Sequence, residues 1–218
     1  MKKVFLALIF LSVIMASGFY GQPAQANLLV NGSFEDPTGF EPVDNGQNNF
    51  MSLPEGSTTL TGWQVIDAEI AWLGANYGLT AFHGDYWLDL TGFHDSLPFG
   101  GVQQTINTVF GQSYVLEFDL GNLIAYGPSA AITVSAGSTS QDFFNTSITD
   151  SWKHFAMPFT AGPGSTLISL MGIEVAGQNC RYIALDNVTV TVVPLPPTAL
   201  LLGASLLRLA RYARRRQT

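Results

Sequence analysis

The sequence predicts an all-β protein: one jelly-roll β-sandwich over residues 27–193, with a secretory signal before it and a short apolar, basic tail after it. Two observations carry the fold class. Short apolar runs recur roughly every eight to twelve residues, separated by Gly, Thr, Asn and Pro, which is the rhythm of strands and tight turns. Helical periodicity is scarce, whereas SYVLEFDLG alternates cleanly. Tyr114, Leu116, Phe118 and Leu120 share one face of it, and Glu117 and Asp119 share the other. Nine or ten such strands in one stretch without repeat or linker fit a two-sheet jelly roll.

The elements follow in order. NLLVNGSFEDP opens with a short strand, an Asn31-Gly32 turn signal and Glu35-Asp36. TTLTGWQV comes next, with Trp63 as a core anchor after a turn, then AEIAWL. In YWLDL, Trp87 and Asp89 share one face, while Tyr86, Leu88 and Leu90 share the other, buried one. GVQQTIN, SYVLEFDLG and AAITVSA supply the middle, and HFAMPFT repeats the alternation with Phe155, Met157 and Phe159. STLISLMGIE and RYIALDNVTVTV close the domain. In the last strand Ile183 and Leu185 hold one phase, and Val188, Val190 and Val192 hold the other. A phase flip across Asp186-Asn187 is what a β-bulge produces. Asp186 then either turns toward the sheet edge as a ligand or faces water on an edge strand.

The two ends carry signals of location. Lys2 and Lys3, an apolar run from Val4 to Ala16 and Ala24-Gln25-Ala26 have the order of a cleavable signal peptide, residues 1–26. At the other end, Thr198–Leu207 is about half of the roughly twenty residues a spanning helix needs. Arg208 interrupts the apolar stretch, and Arg211, Arg214, Arg215 and Arg216 would stay on the cytoplasmic side. Physical chemistry leaves two readings of this tail, a transient type I anchor or an amphipathic segment lying on an anionic membrane. Between the ends, residues 27–193 keep only Lys153 and Arg181 against all sixteen carboxylates, a formal balance of −14. Such a surface repels phosphate backbones and excludes nucleic acid as a partner. The lone Cys180 cannot form an internal disulfide.

Catalytic constellations are incomplete. Glu117 and Asp119 stand two apart on one strand face, but the position where a third carboxylate would complete an E-x-D-x-x-E arrangement holds Asn122. There is no G-x-S-x-G elbow, and His83, His94 and His154 lack metal-site spacing. Aromatic and polar residues crowd Gly74–Gly101, a composition suited to stacking on sugar rings while amides and carboxylates take the hydroxyls. Tyr77, Trp87 and Phe93 are the expected exposed contacts there.

Two resemblances extend this reading. Val193-Pro194-Leu195-Pro196-Pro197-Thr198, the apolar run after it and the Arg-rich end resemble the PEP-CTERM sorting signal of Gram-negative bacteria. The sorting motif maps to Val193, Pro194, Leu195 and Pro196. The resemblance implies export to the cell envelope or beyond, transient inner-membrane anchoring and processing by an exosortase, in bacteria that make exopolysaccharide. Leu195 stands where the motif's name expects Glu, and Arg208 where a small or apolar residue is usual. NLLVNGSFEDP, GVQQTI, GQSYVLEFDLGN and ALDNVTV together resemble the choice-of-anchor C group, which is similar to galactose-binding-type jelly rolls. That resemblance implies a structural calcium held by Glu35 and Asp186, with backbone carbonyls completing the site.

Three functions compete at this point. The first is a non-catalytic exported module that binds polysaccharide or another glycan. The second is a structural envelope or biofilm protein acting through protein contacts. The third is a glycoside hydrolase, for which the sequence lacks a full set of residues.

Overall fold

Alternating apolar and polar residues fold into eleven strands, arranged as two antiparallel sheets packed face to face. The structure is a computed structural model and describes residues 26–43, 49–74, 78–127, 129–176 and 181–194. The strands are β1 (Phe50–Leu53), β2 (Gln64–Ile66), β3 (Ile70–Leu73), β4 (Trp87–Asp89), β5 (Gly101–Ile106), β6 (Ser113–Asn122), β7 (Ala130–Ala136), β8 (Thr139–Asn145), β9 (Ser151–Thr160), β10 (Thr166–Gly172) and β11 (Ala184–Val192). One sheet runs β1-β3-β4-β11-β6-β9 and the other β2-β5-β10-β7-β8. This is the jelly-roll sandwich that the sequence predicts.

The core lies between the sheets, where Leu116, Phe118 and Leu120 of β6 meet Ile132, Val134, Ile168 and Leu170 of the smaller sheet. Trp63 is the anchor expected of it: it is buried, packs on Phe34, and donates its indole N–H to the Asn31 carbonyl at 2.9 Å. Met157 and Phe159 of β9 are buried as expected, and Phe155 packs partly buried beside them.

Two local expectations need correction. No strand forms over NLLV; the chain bends from Leu28 and turns directly after it, with Asn31 and Phe34 at left-handed φ values of 52° and 62°. The segment still joins the sheet through single bonds, with Leu28 N–H donating to Val190 O. Nor is β11 an edge strand. It lies between β4 and β6, and its register against β6 slips between Asp186 and Thr189, with Asn187 at φ 52°. The bulge read from the phase flip is therefore present, and it sits in the middle of the sheet.

Both faces of the larger sheet are covered in places. Strand alternation alone would leave its outer face wet. Instead a second apolar cluster of Phe50, Leu73, Trp87, Tyr182 and Ala184 is capped there by Leu79 and Leu123, with Trp152 at its margin. Among the described residues no helix is long and apolar enough to cross a membrane. The signal segment 1–25 and the tail from Leu195 onward, including Pro196, Arg211, Arg214, Arg215 and Arg216, lie outside the described residues.

Candidate functional site

The chain's opening segment is docked on the bulge of its closing strand. Val188 N–H donates to Gly32 O at 2.8 Å, and a side chain at Gly32 would run into the Val188 carbonyl. This docking carries Glu35 and Asp186 to one loop, residues 82–86. Glu35 accepts the backbone N–H groups of Asp85 at 2.9 Å and Tyr86 at 2.7 Å. Asp186 accepts His83 N–H at 2.8 Å and Asn187 N–H. Gly84, at φ +71°, leaves the space that the Glu35 carboxyl fills. Two residues 151 positions apart in sequence thus form one clamp.

The clamp is electrostatically loaded. Burial pushes the Asp186 carboxyl up to about 7, against hydrogen bonds from His83 and Asn187 that pull it down, and the Glu35 charge pushes it further up. Two neighbouring carboxylates, one of them fully buried, fit a hard cation in charge and in oxygen chemistry. No third His, Cys, Asp or Glu joins them among the described residues. Main-chain carbonyls would have to complete any calcium shell.

Beyond the bulge, Asp119 is fully buried although it lies on the outer face of β6. The bulge residue Asn187 donates its side-chain amide to Asp119 Oδ2 at 2.9 Å, and the His154 ring lies 3.3 Å from Oδ1. The polar face expected for Glu117 and Asp119 is thus half covered. Asn122, where a third carboxylate is absent, is a buried peg whose amide donates to Ser147 O.

The aromatic contacts expected from Gly74–Gly101 separate into three outcomes. Tyr77 lies outside the described residues. Trp87 is fully buried, wedged against Tyr182 at 5.4 Å and Trp152 at 6.1 Å, so it is a packing residue and presents no face to a ligand. The covering residues Leu123 and Tyr182, remote from YWLDL in sequence, and the nearer Leu79 cause that burial. Phe93 is 54% exposed and lies on the rim of a cleft of about 220 Å³.

That cleft opens on the outer face of the larger sheet. Phe50 of β1, Ala71 and Leu73 of β3 and Asp89 of β4 line it, with Phe93 and Asp95 from the following loop and with Tyr126, Arg181 and Tyr182. Its aromatic walls are two layers deep. Phe93 stacks on buried Phe50 with centroids 5.0 Å apart and planes 12° from parallel. Tyr126, 49% exposed, stacks on buried Tyr182 at 5.8 Å and 24°. Glu69 fixes the Phe93 loop by accepting the N–H groups of Phe93 and His94 and contacting His94 Nδ1 at 2.5 Å. Partial burial raises the Glu69 pKa, but the His94 and Ser52 contacts outweigh it and hold the carboxyl below its usual range. Arg181 N–H donates to Tyr126 O at 2.9 Å, which ties the second wall to the strand entrance.

The floor is acidic. Asp89 is fully buried and pushed up to about 7 by desolvation, against hydrogen bonds from Thr91 and Ile183. Burial also raises Asp95, with Thr91 and Arg181 acting the other way. Sequence reasoning missed Phe50, Tyr126, Arg181 and Tyr182, because each is isolated in sequence and only strand pairing gathers them. The one signal available for Tyr126 is an aromatic directly before Gly127-Pro128, a turn position that favours exposure.

Residues 27–191 match the family model described as "Protein of unknown function (DUF642)". The chain belongs to that family. Among curated proteins no relative matches the sequence. The DUF642 chain is similar in fold to a cyclase from Fischerella sp. TAU solved with 4-(1H-indol-3-yl)butan-2-one, at 18% identity and a TM-score of 0.50. That match covers 77% of this chain and 97% of the cyclase. It is also similar to TmCBM61, solved with β-1,4-galactotriose, at 18% identity and a TM-score of 0.44, over 77% of this chain and 99% of that one. A third similar structure, described as "CBM4 structure and function", has 17% identity and a TM-score of 0.39, over 76% and 99% of the two chains.

Proposed function

We propose that this DUF642 protein is an exported, non-catalytic module that binds polysaccharide or another glycan in the Phe93–Tyr126 cleft. The observation that carries the reading is the pair of half-exposed aromatic rings, each backed by a buried ring, that line one cleft together with two carboxylates and Arg181. Sugars present apolar C–H faces to such rings and hydroxyls to such polar groups. Backing each outer ring with a buried one removes rotamer freedom before binding, so less entropy is lost when a ligand arrives. The cleft is smaller than the roughly 300–1,000 Å³ of drug-sized sites. It therefore suits one ring of a longer chain that runs across the mouth.

The tail supports an address. Its Pro motif, apolar run and arginines fit transient inner-membrane anchoring and handling by an exosortase in a Gram-negative bacterium, with the body released to the envelope or beyond. Calcium at Glu35 and Asp186 would neutralise the clamp that holds loop 82–86. The test is the affinity of the protein for the producing organism's own exopolysaccharide, in calcium and then in EDTA. Saturable binding weakened by Phe93→Ala supports the module. Absence of binding in both conditions would favour a structural envelope protein acting by protein contacts.

A further inference from the structure

The end of the sandwich from which the tail departs is built from uncharged segments and carries exposed apolar side chains. Three segments meet there: Asn107–Ser113, Thr160–Thr166 and Thr191–Pro194. Gly111 N–H donates to Ala161 O, Ala161 N–H to Gln112 O, Val193 N–H to Ser113 O, and the Gln112 amide to Val193 O, all within 3.0 Å. None of the three segments contains a charged residue, in a domain that carries sixteen carboxylates. At their tip Val109 is 68% exposed and Phe110 72% exposed. Two adjacent large apolar side chains exposed on one turn would lose contact with water by entering an apolar surface.

Covalent geometry identifies what covers it. Only Leu195, Pro196 and Pro197 separate Pro194 from the apolar run that begins at Thr198. Fully extended, that connection reaches no more than about 14 Å. A bilayer's headgroup layer is only about 5–8 Å thick on each side. If the apolar run enters lipid, Val193 and the turn bonded to it lie within about 14 Å of the hydrocarbon, in the headgroups or just above them. Carboxylates would be repelled there by an anionic surface, and these three segments have none.

We infer that the Val109–Phe110 turn is a lipid-facing foot, which inserts into the membrane interface beside the tail and orients the body upright. β6 runs from this foot at Ser113 to Asn122, about 30 Å away at the usual rise per residue. The cleft lies toward the far end, where β11 begins next to Arg181 and Tyr182. The foot thus points the glycan cleft away from the membrane. The inference rests on the proposed insertion of the tail.

The experiment uses the full chain carrying Cys180→Ser, with Val109→Cys, Phe110→Cys or Ile148→Cys, each labelled with an environment-sensitive fluorophore. Ile148, 92% exposed between β8 and β9, is the far-end control. The protein is reconstituted in vesicles of phosphatidylcholine and phosphatidylglycerol with or without nitroxide-bearing lipid. We expect flotation with the vesicles, several-fold quenching of the labels at 109 and 110 by lipid nitroxide, and no quenching at 148. Flotation without quenching at 109 and 110 overturns the foot alone. A shielded but unquenched label there assigns the turn to a protein partner or a second copy, and also overturns it. Failure to float overturns the foot together with tail insertion.

Discussion

Replacing Asp186 with Asn removes a charge from the most heavily loaded point of the clamp. The folded carboxyl titrates near 7, against 3.8 for an ordinary aspartate. A gap of about three units corresponds to about 4 kcal/mol of linkage, as an order of magnitude. The sign follows from proton binding. The folded chain holds this proton more tightly than the unfolded one, so the contribution is complete below about pH 4 and is lost as pH rises through 7. Asn cannot lose a proton, and its fall in stability between pH 4 and 8 should be shallower by about that amount. Asn also leaves one of the two N–H donors, from His83 or Asn187, without an acceptor, at about 1–3 kcal/mol at every pH. In EDTA the variant should therefore be less stable than the parent at pH 4 and equal to it or more stable at pH 8. Urea unfolding across that range measures the crossing. Calcium at a hundred times its Kd should stabilise the parent at pH 8 by about 3 kcal/mol and leave Asp186→Asn unchanged. Parallel pH profiles for the two proteins would refute the electrostatic account. An equal calcium response would refute the metal.

Other expected outcomes follow from the packing. Trp87→Ala should destabilise the fold by about 3–5 kcal/mol in thermal or urea unfolding, as a large buried aromatic does. Gly32→Ala should lower stability by more than 1 kcal/mol, because the added carbon meets the Val188 carbonyl and pries the opening segment off the bulge. Removing residues 195–218 should leave the unfolding midpoint unchanged, since Val193 is, among the described residues, the last with a backbone bond to the body, and should redirect the protein in fractionated cells. Glu69→Gln should weaken glycan binding with little change in stability, because it loosens the loop that holds Phe93.

The sequence made the strands legible where one face is buried and the other wet. In β6 the alternation of Tyr114, Leu116, Phe118 and Leu120 leaves no other period, and β9, β10 and β11 read in the same way. Even the bulge was legible, because a slip of one residue inverts every later side chain. Alternation loses its meaning where both faces are covered. β4 buries all three of its residues, so alternation there cannot tell an exposed Trp87 from a buried one. β1, with Phe50 in the cleft, follows a polar stretch of sequence and offers only four residues to read. Glu35 and Asp186 could be paired through resemblance, whereas the cleft could not. Phe50, Phe93, Tyr126 and Arg181 lie on separate strands and loops, and only the β1-β3-β4-β11 order brings them together.

The central claim is that two backed aromatic rings form a glycan site. Calorimetric titration of the exopolysaccharide into the parent, Phe93→Ala, Tyr126→Ala and Phe144→Ala tests it most directly. Phe144 is a comparably exposed aromatic, 43%, on the opposite sheet, and controls for general stickiness. Each cleft variant should lose about 5- to 10-fold in affinity, the worth of one aromatic contact, while Phe144→Ala binds as the parent does. Equal affinity across all four proteins, or an effect confined to Phe144→Ala, would contradict the account.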